Sequence, residues 1–155
     1  MNDSDQRAAV VAEARRWIAT PYHHAADVLG AGVDCGMLIV RAYVDTGIVP
    51  AFDPRPYSPQ WMLHKDEEVY LSLVLGRAVE RSDAPQPGDV LVVRWGRCYS
   101  HGAIVTAWPN IVHAFAPARM VLEEDFTRNI ALCDVRRVPR IFDPWGARPA
   151  LERTQ

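Results

Sequence analysis

The sequence predicts an α+β fold in which N-terminal helices pack on a central antiparallel β-sheet. Helical periodicity is confined to the first half of the 155-residue chain, up to about Leu75. Alternating, strand-like patterns begin only after Pro85. Parallel βαβ units would instead alternate helices with strands along the chain. The order of the two patterns therefore favours an antiparallel sheet built from the second half.

Three helices are predicted before the sheet. Ser4 or Asp5 can cap the first, in which apolar residues recur at helical spacing. The second is apolar on nearly every side and stops before Gly47, so we expect it in the centre of the core. The predicted spans are Gln6–Ile18, Cys35–Thr46 and, for the third helix, Ser58 or Trp61 to Leu75.

The strands and connections follow from turn residues and apolar alternation. A glycine-containing loop, Thr20–Val33, precedes the second helix, and the proline-rich stretch Val49–Pro59 is expected to be extended. Residues 1–145 are predicted to form one domain and residues 146–155 a C-terminal tail. The predicted strands are Asp89–Trp95, Ser100–Ala107, Ile111–Ala116 and Leu132–Val138.

Composition excludes several classes of protein. Seventeen basic and nineteen acidic residues give a formal net charge of −2, which argues against nucleic acid as the main partner. The polar, acidic N-terminus lacks the pattern of an export signal, so we expect a protein that is cytoplasmic as synthesised. The longest apolar run, Met37–Val44, is far shorter than the roughly 20 residues of a membrane span.

Three cysteines without a CxxC pair predict neither a disulfide framework nor a zinc knuckle. Cys98 and Cys133 are interpreted as ordinary strand residues. Cys35 differs because it follows a glycine-containing loop and opens a buried helix, where the helix dipole is expected to lower the thiol pKa. The N–H groups at that position can also stabilise an oxyanion. The alternative is a small core residue beside Asp34 as N-cap.

A nucleophilic thiolate needs a base, and the five histidines differ in their settings. His64 falls on the third predicted helix and is interpreted as a surface residue. His23 and His24 lie in the loop before the second helix, where they can line a cleft without rigid support. His101 begins a strand, followed by small residues that leave room for a neighbouring helix or a substrate, and His113 lies in the next strand. The last two are the candidates.

The spacing of these two histidines demands a particular hairpin. If Trp108–Asn110 is a three-residue loop, His101 and His113 share a face of the sheet but lie four residues apart along the ladder. At roughly 3.3 Å per residue that separation is about 13 Å. We therefore expect a longer loop or a β-bulge that brings the two side chains together.

Taken in order along the chain, these residues resemble the NlpC-type cell-wall peptidases, papain-like cysteine peptidases that cut peptidoglycan stem peptides. The resemblance covers roughly residues 10–118 and implies a papain-like fold. Four segments match: Trp17-Ile-Ala-Thr-Pro-Tyr22, Gly32-Val-Asp-Cys35, Pro87-Gly-Asp-Val90, and His101-Gly-Ala-Ile with His113-Ala behind it.

The resemblance implies a role for each catalytic candidate. Cys35 would be the nucleophile, His101 the general base that also protonates the leaving amine, and His113 the group that orients His101. Tyr22, together with the backbone N–H of Cys35, would hold the oxyanion.

Two further positions concern the substrate. The resemblance implies that Asp34 faces the free amino end of the peptide in members that cleave from that end. Gly36 stands where the family usually has serine, which removes a hydroxyl from the subsite region. Which peptide is recognised is therefore left open.

The resemblance also implies partners. It predicts a peptidoglycan peptide as substrate, with no cofactor and no metal. A bare catalytic domain of this kind resembles the phage-tail and gene-transfer-particle members, whose particles would deliver the protein to the wall.

Three alternatives remain open. A papain-like acyltransferase or lipid amidase would use the same residues beside a long apolar groove, and a tail assembly module would keep the fold while catalytically idle. A zinc site built from Cys35, His101 and His113 would need a fourth ligand, for which the sequence offers no paired spacing.

Overall fold

The computed structural model describes residues 1–57 and 69–147. Its helices are α1 (Asp3–Arg16), α2 (Cys35–Val44) and α3 (Val69–Leu75). Its strands are β1 (Asp27–Val28), β2 (Gly32–Val33), β3 (Val79–Arg81), β4 (Val90–Trp95), β5 (Cys98–Ala107), β6 (Asn110–Phe115), β7 (Met120–Asp125) and β8 (Arg140–Asp143). The predicted α+β class, with helices first and an antiparallel sheet second, is confirmed.

Six strands form one antiparallel sheet in the order β3-β8-β4-β5-β6-β7. The predicted strands at residues 89–95, 100–107 and 111–116 correspond to β4, β5 and β6. Three strands, β3, β7 and β8, were not predicted, and β1 with β2 form a small separate hairpin inside the loop before α2. The sheet is therefore wider than the sequence patterns indicate.

The predicted strand Leu132–Val138 is wrong. This segment holds a short 3₁₀ helix at Val135–Arg137, and the side chain of Asp134 accepts a hydrogen bond from the backbone N–H of Arg136. Leu132 is fully buried, but the side chain of Asn129 accepts its N–H, so the backbone is used in turns instead of a ladder. Short-range side-chain hydrogen bonds of this kind compete with strand pairing.

Helix α1 begins earlier than predicted. The side chain of Asn2, not of Ser4 or Asp5, caps it by accepting the N–H of Asp5 at 2.9 Å. It ends at Arg16, two residues before the predicted end. Helix α3 ends at Leu75 as predicted, while the predicted starts at residues 58 and 61 and most of the 146–155 tail lie outside the described residues.

The apolar residues of β4 alternate between two sides of the sheet. Val90 and Val92 pack in the larger cluster, which includes the buried faces of α1 and α2. Leu91 and Val93 pack in a second cluster with Leu132 and the 3₁₀ turn that follows β7. Helix α2 lies among buried residues on most sides, as its composition predicted. Among the described residues, no helix has the length and apolar character that a membrane crossing needs.

A buried ion-pair network joins α1 to the sheet. The carboxylate of Asp89, whose side chain has no solvent exposure, lies 2.9 Å from the guanidinium of Arg7 and 2.6 Å from that of Arg81. Both arginines also pair with Asp143 on β8, at 2.8 and 3.0 Å. The Pro-Gly-Asp motif before β4 therefore anchors the N-terminal helix to three strands.

Gly102 lets the helices approach the sheet closely. A Cβ atom at this position would overlap the hydroxyl of Tyr70 and lie 2.7 Å from the Cδ1 atom of Ile39. The small residue after His101 thus makes room for α2 and α3, one of the two occupants that the sequence suggested. This packing places the first turn of α2 against β5.

Candidate active site

Cys35 is the first residue of α2, and its position follows from local sequence. Asp34 caps the helix by accepting the backbone N–H of Met37 at 2.8 Å, so the preceding loop ends at this residue. Small and apolar residues continue the helix into the core. The thiol of Cys35 is therefore held at a helix N-terminus, and the residue is 5% exposed.

The Cys35 sulfur meets three groups of the surrounding structure. Its thiol donates to the carbonyl oxygen of Ser100 at 3.5 Å. The hydroxyl of Tyr22 and the backbone N–H of Gly102 lie close enough to lower the pKa of the thiol. Polar groups of β5 and of the loop before α2 thus surround the thiol.

Burial and the nearby negative charge of Asp34 raise the pKa of the Cys35 thiol from its ordinary value of 9.0 to about 12. Hydrogen bonds from Gly102, from Tyr22 and from the N–H of Cys35 itself act in the opposite direction but are outweighed. The expectation of a thiol pKa lowered by the helix N-terminus is therefore wrong for the free protein. Cys35 rests as a neutral thiol.

His101 and His113 share one face of the sheet. Ile104 lies opposite Val112, so the same antiparallel register sets His101 opposite Phe115, two residues from His113. Two residues along a strand span about 7 Å, a distance that two imidazole side chains can bridge. The Nε2 atom of His101 lies 2.9 Å from the Nδ1 atom of His113.

The hairpin reaches this geometry by the predicted bulge, with a loop shorter than the one considered. The connection between β5 and β6 is two residues, Trp108-Pro109, and the register shifts between Val105 and Ala107. Together these changes reduce the ladder separation of the two histidines from four residues to two. The expectation that they would need a bulge to meet is confirmed.

A carboxylate that sequence reasoning missed extends this pair. His113 lies opposite Leu122 on β7, and Glu124 stands two residues further along on the same face. The Oε1 atom of Glu124 lies 2.9 Å from the Nε2 atom of His113 and accepts a hydrogen bond from the side chain of Asn129 at 2.6 Å. The sequence would have pointed to Glu124 if residues 120–125 had been recognised as a strand. Glu124 then falls on the same face of the sheet as His113.

The two histidines are neutral at neutral pH for related reasons. Burial, the neighbouring His113 and the positive charge of Arg137 lower the pKa of His101 well below 6.5. Burial also lowers the pKa of His113, although Glu124 partly offsets that effect. Each ring therefore carries one proton and one free lone pair.

The hydrogen bonds then assign the protons. A carboxylate only accepts, so the Nε2 atom of His113 must donate to Glu124 and its Nδ1 atom is left as an acceptor. His101 must therefore donate from Nε2 to His113. The Nδ1 atom of His101 retains its lone pair and is the nitrogen that can take a proton.

Cys35 and His101 line the same cleft. Its polar wall is formed by Tyr22, His24, Asp34, Tyr57 and Ser100, and its other residues are Trp95, Phe115, Ala116 and Pro117. Burial, and next to it the proximity of Cys35 and Asp34, raises the pKa of Tyr22, so its hydroxyl stays protonated and can donate. This polar cleft can bind an amide.

The carboxylate of Asp34 is occupied by the protein. Besides Met37, it accepts the N–H of Ala25 at 2.7 Å and the hydroxyl of Tyr57 at 2.5 Å, and its side chain is 3% exposed. Its predicted role toward the amino end of a substrate stays a prediction. A substrate ammonium would have to compete with these donors.

Gly36 faces a different space. It is half-buried and lines an apolar cavity, which lies beyond Tyr57 and does not include Cys35. Tyr57 borders both the cavity and the cleft. A subsite role for Gly36 also stays a prediction.

The remaining histidines separate clearly. His24 lines the cleft, with its Nε2 atom 3.1 Å from the carbonyl oxygen of Tyr57, whereas His23 is exposed. His64 lies outside the described residues. Within residues 1–57 and 69–147, no group of three or more histidine, cysteine, aspartate and glutamate side chains is arranged to hold a metal ion.

The fold has counterparts among solved structures. The NlpC/p60 domain of the peptidoglycan hydrolase SagA superposes with a TM-score of 0.59 and 23% identity, over 88% of this chain and 97% of that one. NlpC1 from Trichomonas vaginalis has a TM-score of 0.60 and 17% identity, over 81% of this chain and 41% of that one. This chain has the NlpC/p60 fold.

A third structure extends the comparison. An NlpC/P60 family protein from Bacillus cereus has a TM-score of 0.54 and 20% identity, over 81% of this chain and 37% of that one. The chain thus spans less than half of two of these proteins and nearly all of the SagA domain. No protein-family model and no curated protein matches this sequence. The predicted phage-tail partners stay a prediction.

Proposed function

We propose that this protein is a cysteine peptidase that hydrolyses amide bonds in the stem peptides of peptidoglycan. The observation that carries the proposal is the joint position of Cys35, at a helix N-terminus, and His101, backed by His113, on one polar cleft. A buried thiol, a base with a free lone pair and a group that orients the base form the general arrangement of nucleophilic acyl transfer.

Acylation begins from the neutral pair. The Cys35 thiol leaves the carbonyl of Ser100 and gives its proton to the Nδ1 atom of His101 as its sulfur attacks the substrate carbonyl carbon. A sulfur–carbon bond forms, and the carbonyl π electrons move to oxygen. The imidazolium of His101 is stabilised by His113, which accepts from its Nε2–H.

The N-terminus of α2 lies beside the site of the developing negative charge. The backbone N–H of Cys35 and the hydroxyl of Tyr22 donate to the oxyanion, as expected of preorganised donors at a helix start. When the oxyanion collapses, the carbon–nitrogen bond breaks and the amine leaves with the proton from His101. Water then attacks the thioester, again with His101 as base, and releases the acid and the thiol.

Two observations support a peptide as the substrate. The cleft wall contains hydroxyl, carboxylate, imidazole and backbone polar groups that can pair with amide N–H and C=O groups. The SagA domain, which shares the fold over 97% of its length, belongs to a protein described as a peptidoglycan hydrolase. The fold likeness and the cleft chemistry point to the same bond type.

A lipid amidase or acyltransferase is the second candidate, and the apolar cavity beyond Tyr57 favours it. Ile39, Val49 and Phe52 are among the residues that line this space, which can accept a hydrocarbon chain. The cavity does not reach Cys35 itself. An acyl chain would therefore have to pass Tyr57 before its amide reached the thiol.

Digestion of purified peptidoglycan followed by mass analysis tests the proposal. The wild-type protein should release new amine and carboxyl ends, and Cys35→Ala should release none while keeping the thermal unfolding of the wild type within a few degrees. Cys98→Ala is the matched control, because Cys98 is equally buried but lies outside the cleft. Hydrolysis of a long-chain N-acyl amide, with no action on peptidoglycan, would instead establish the second candidate.

A further inference from the structure

The side chains of Glu124 and Asn129 continue the histidine pair beyond the predicted catalytic residues. Glu124 touches neither the cleft nor Cys35, yet its carboxylate lies 2.9 Å from the Nε2 atom of His113. The side-chain amide of Asn129 donates to the same carboxylate oxygen at 2.6 Å. The carboxylate is therefore fixed from one side and meets the imidazole on the other.

We propose that Glu124 is a positioning residue, which holds His113 in its Nε2–H tautomer and thereby decides which nitrogen His101 presents to the Cys35 thiol. The proposal deepens the peptidase function above and rests on it for the rate measurements. The proton assignment itself depends on the described contacts and on the neutrality of the two rings, and not on the proposed function.

Glu124 fixes the direction of the hydrogen bonds that run through His113 to His101. With Glu124 as an obligate acceptor, His113 donates from Nε2 and accepts at Nδ1, and His101 donates from Nε2. Without the carboxylate, His113 can instead donate from Nδ1 to the Nε2 atom of His101. The proton of His101 then lies on Nδ1, the nitrogen that faces the thiol. A protonated nitrogen cannot act as base.

Glu124 also affects the charge that forms on His101 during acylation. When His101 takes the thiol proton, a positive charge forms on a buried ring beside the cation of Arg137, whose charge already lowers the pKa of His101. Glu124 supplies an opposite charge through His113, whose side chain is fully buried. In such surroundings an ordered charge acts more strongly than it would in water. Glu124 therefore favours the imidazolium that acylation requires.

Glu123 provides a matched control for Glu124. Glu123 is the neighbouring residue on β7 and is of similar exposure, 26% against 27%. Its carboxylate pairs with Arg15 and accepts from Thr106, so it holds β7 to α1 and β5 and has no histidine contact. A purely structural role for the glutamates predicts equal effects of Glu123→Gln and Glu124→Gln. A positioning role predicts different effects.

The rate experiment compares these variants on peptidoglycan fragments. Glu124→Ala should lower kcat by about 10- to 100-fold with KM changed less than twofold, as expected for loss of a group behind a functional histidine. Glu124→Gln should retain part of the rate, because its amide oxygen can accept from His113 but carries no charge. Glu123→Gln should stay within about twofold of wild type. In a His113→Ala background, Glu124→Ala should change kcat by less than about twofold.

A second measurement does not need activity. Long-range ¹H–¹⁵N spectra of histidine side chains report the tautomers directly, and we expect Nε2–H for both His101 and His113 in the wild type. Glu124→Ala should give a mixture of tautomers, and Asn129→Ala a smaller change in the same direction. If Glu124→Ala does not fold, Glu124→Gln and Asn129→Ala carry the test.

The outcomes separate the two proposals. Three results would each overturn the positioning role. One is Nδ1–H on His101 in the wild type, and another is an equal loss of kcat in Glu123→Gln and Glu124→Gln. The third is an undiminished effect of Glu124→Ala on kcat in the His113→Ala background. A wild type that shows the expected tautomers and cleaves no peptidoglycan would leave the positioning role supported and refute the proposed function.

Discussion

The thiol of Cys35 donates its hydrogen bond to the backbone carbonyl of Ser100, the residue immediately before His101 in β5. Its proton is thus held by the strand that carries the base. With a thiol pKa of about 12, only about one molecule in 10⁴ carries a thiolate at pH 8. In the proposed mechanism the thiol proton is therefore transferred during attack, and the resting site holds no thiolate–imidazolium pair.

Alkylation should follow exposure and not the helix position. Cys133 is exposed, whereas Cys35 is buried with a raised pKa, so iodoacetamide at pH 7.5 should modify Cys133 at least tenfold faster. Mass spectrometry of peptides over a time course measures both rates in one sample. The Cys35 rate should still rise between pH 9 and 10. Faster modification of Cys35 than of Cys133 would contradict the raised pKa.

Stability should fall as the pH drops below about 6.5. The lowered pKa values of His101 and His113 mean that the unfolded chain binds protons that the folded chain does not, so stability is full above the unfolded pKa and is lost below it. The slope per histidine can reach about 1.4 kcal/mol per pH unit. Urea unfolding at pH 7.5, 6.5 and 5.5 measures it.

Replacement of both His101 and His113 by Gln tests the cause and should flatten the slope between pH 5.5 and 6.5. The groups that face the buried pair are Glu124 and the charge of Arg137, and the double variant keeps them. An unchanged slope in the double variant would refute the assignment.

Gly102→Ala should destabilise the protein and inactivate it. The added methyl group would overlap the Tyr70 hydroxyl and press on Ile39, an overpacking that typically costs about 1–3 kcal/mol. It would also disturb the hydrogen bond from Tyr70 to the carbonyl oxygen of Cys35. Thermal unfolding and hydrolysis should both decrease. Gly76→Ala is the control, since its nearest contact would be 3.5 Å.

A compensating change sharpens that prediction. Tyr70→Phe removes the hydroxyl that the new methyl group would meet, so the double variant Gly102→Ala with Tyr70→Phe should regain part of the lost stability. A double variant as unstable as the sum of the two single variants would show that the overlap lies elsewhere.

Asp89→Asn should cost about 3–5 kcal/mol, because the two arginines on either side of this buried carboxylate would lose its charge and keep only Asp143 as a shared anionic partner. Chemical denaturation followed by tryptophan fluorescence measures the loss. Asp83→Asn is a suitable comparison, since its side chain is 74% exposed and pairs with Arg81 at the surface. Similar losses for both variants would argue against the buried network.

The sequence was sufficient for the fold class, for α2 and for β4 to β6, because each of these elements has a long and consistent apolar pattern. The sequence was insufficient for β7, because this strand ends in three consecutive carboxylates. They hide the alternation that places Met120, Leu122 and Glu124 on one face of the sheet. Leu132–Val138 was misassigned for the opposite reason. Its apolar residues suggested a strand, but the side chains of Asp134 and Asn129 fix turns by accepting backbone N–H groups. The spacing of apolar residues carries no information about such hydrogen bonds.

The site divides in the same way. The helix start at Cys35 and the histidines on adjacent strands could be predicted, since each depends on local sequence. The pKa of Cys35 could not, because it depends on burial and on the orientation of Asp34. Glu124 was missed because its contact with His113 depends on the β6–β7 register.

The position of β8 has a consequence for synthesis of the chain. This strand, residues 140–143, lies between β3 and β4 in the sheet, and β3 pairs with β8 in the described structure. A ribosome-bound chain that has not yet released residue 143 therefore exposes one edge of β4 and leaves Asp89 and both of its arginines without Asp143. Such an edge can pair with another nascent chain. Premature termination near residue 139 would thus yield an aggregation-prone product, and formation of β8 covers this edge of β4.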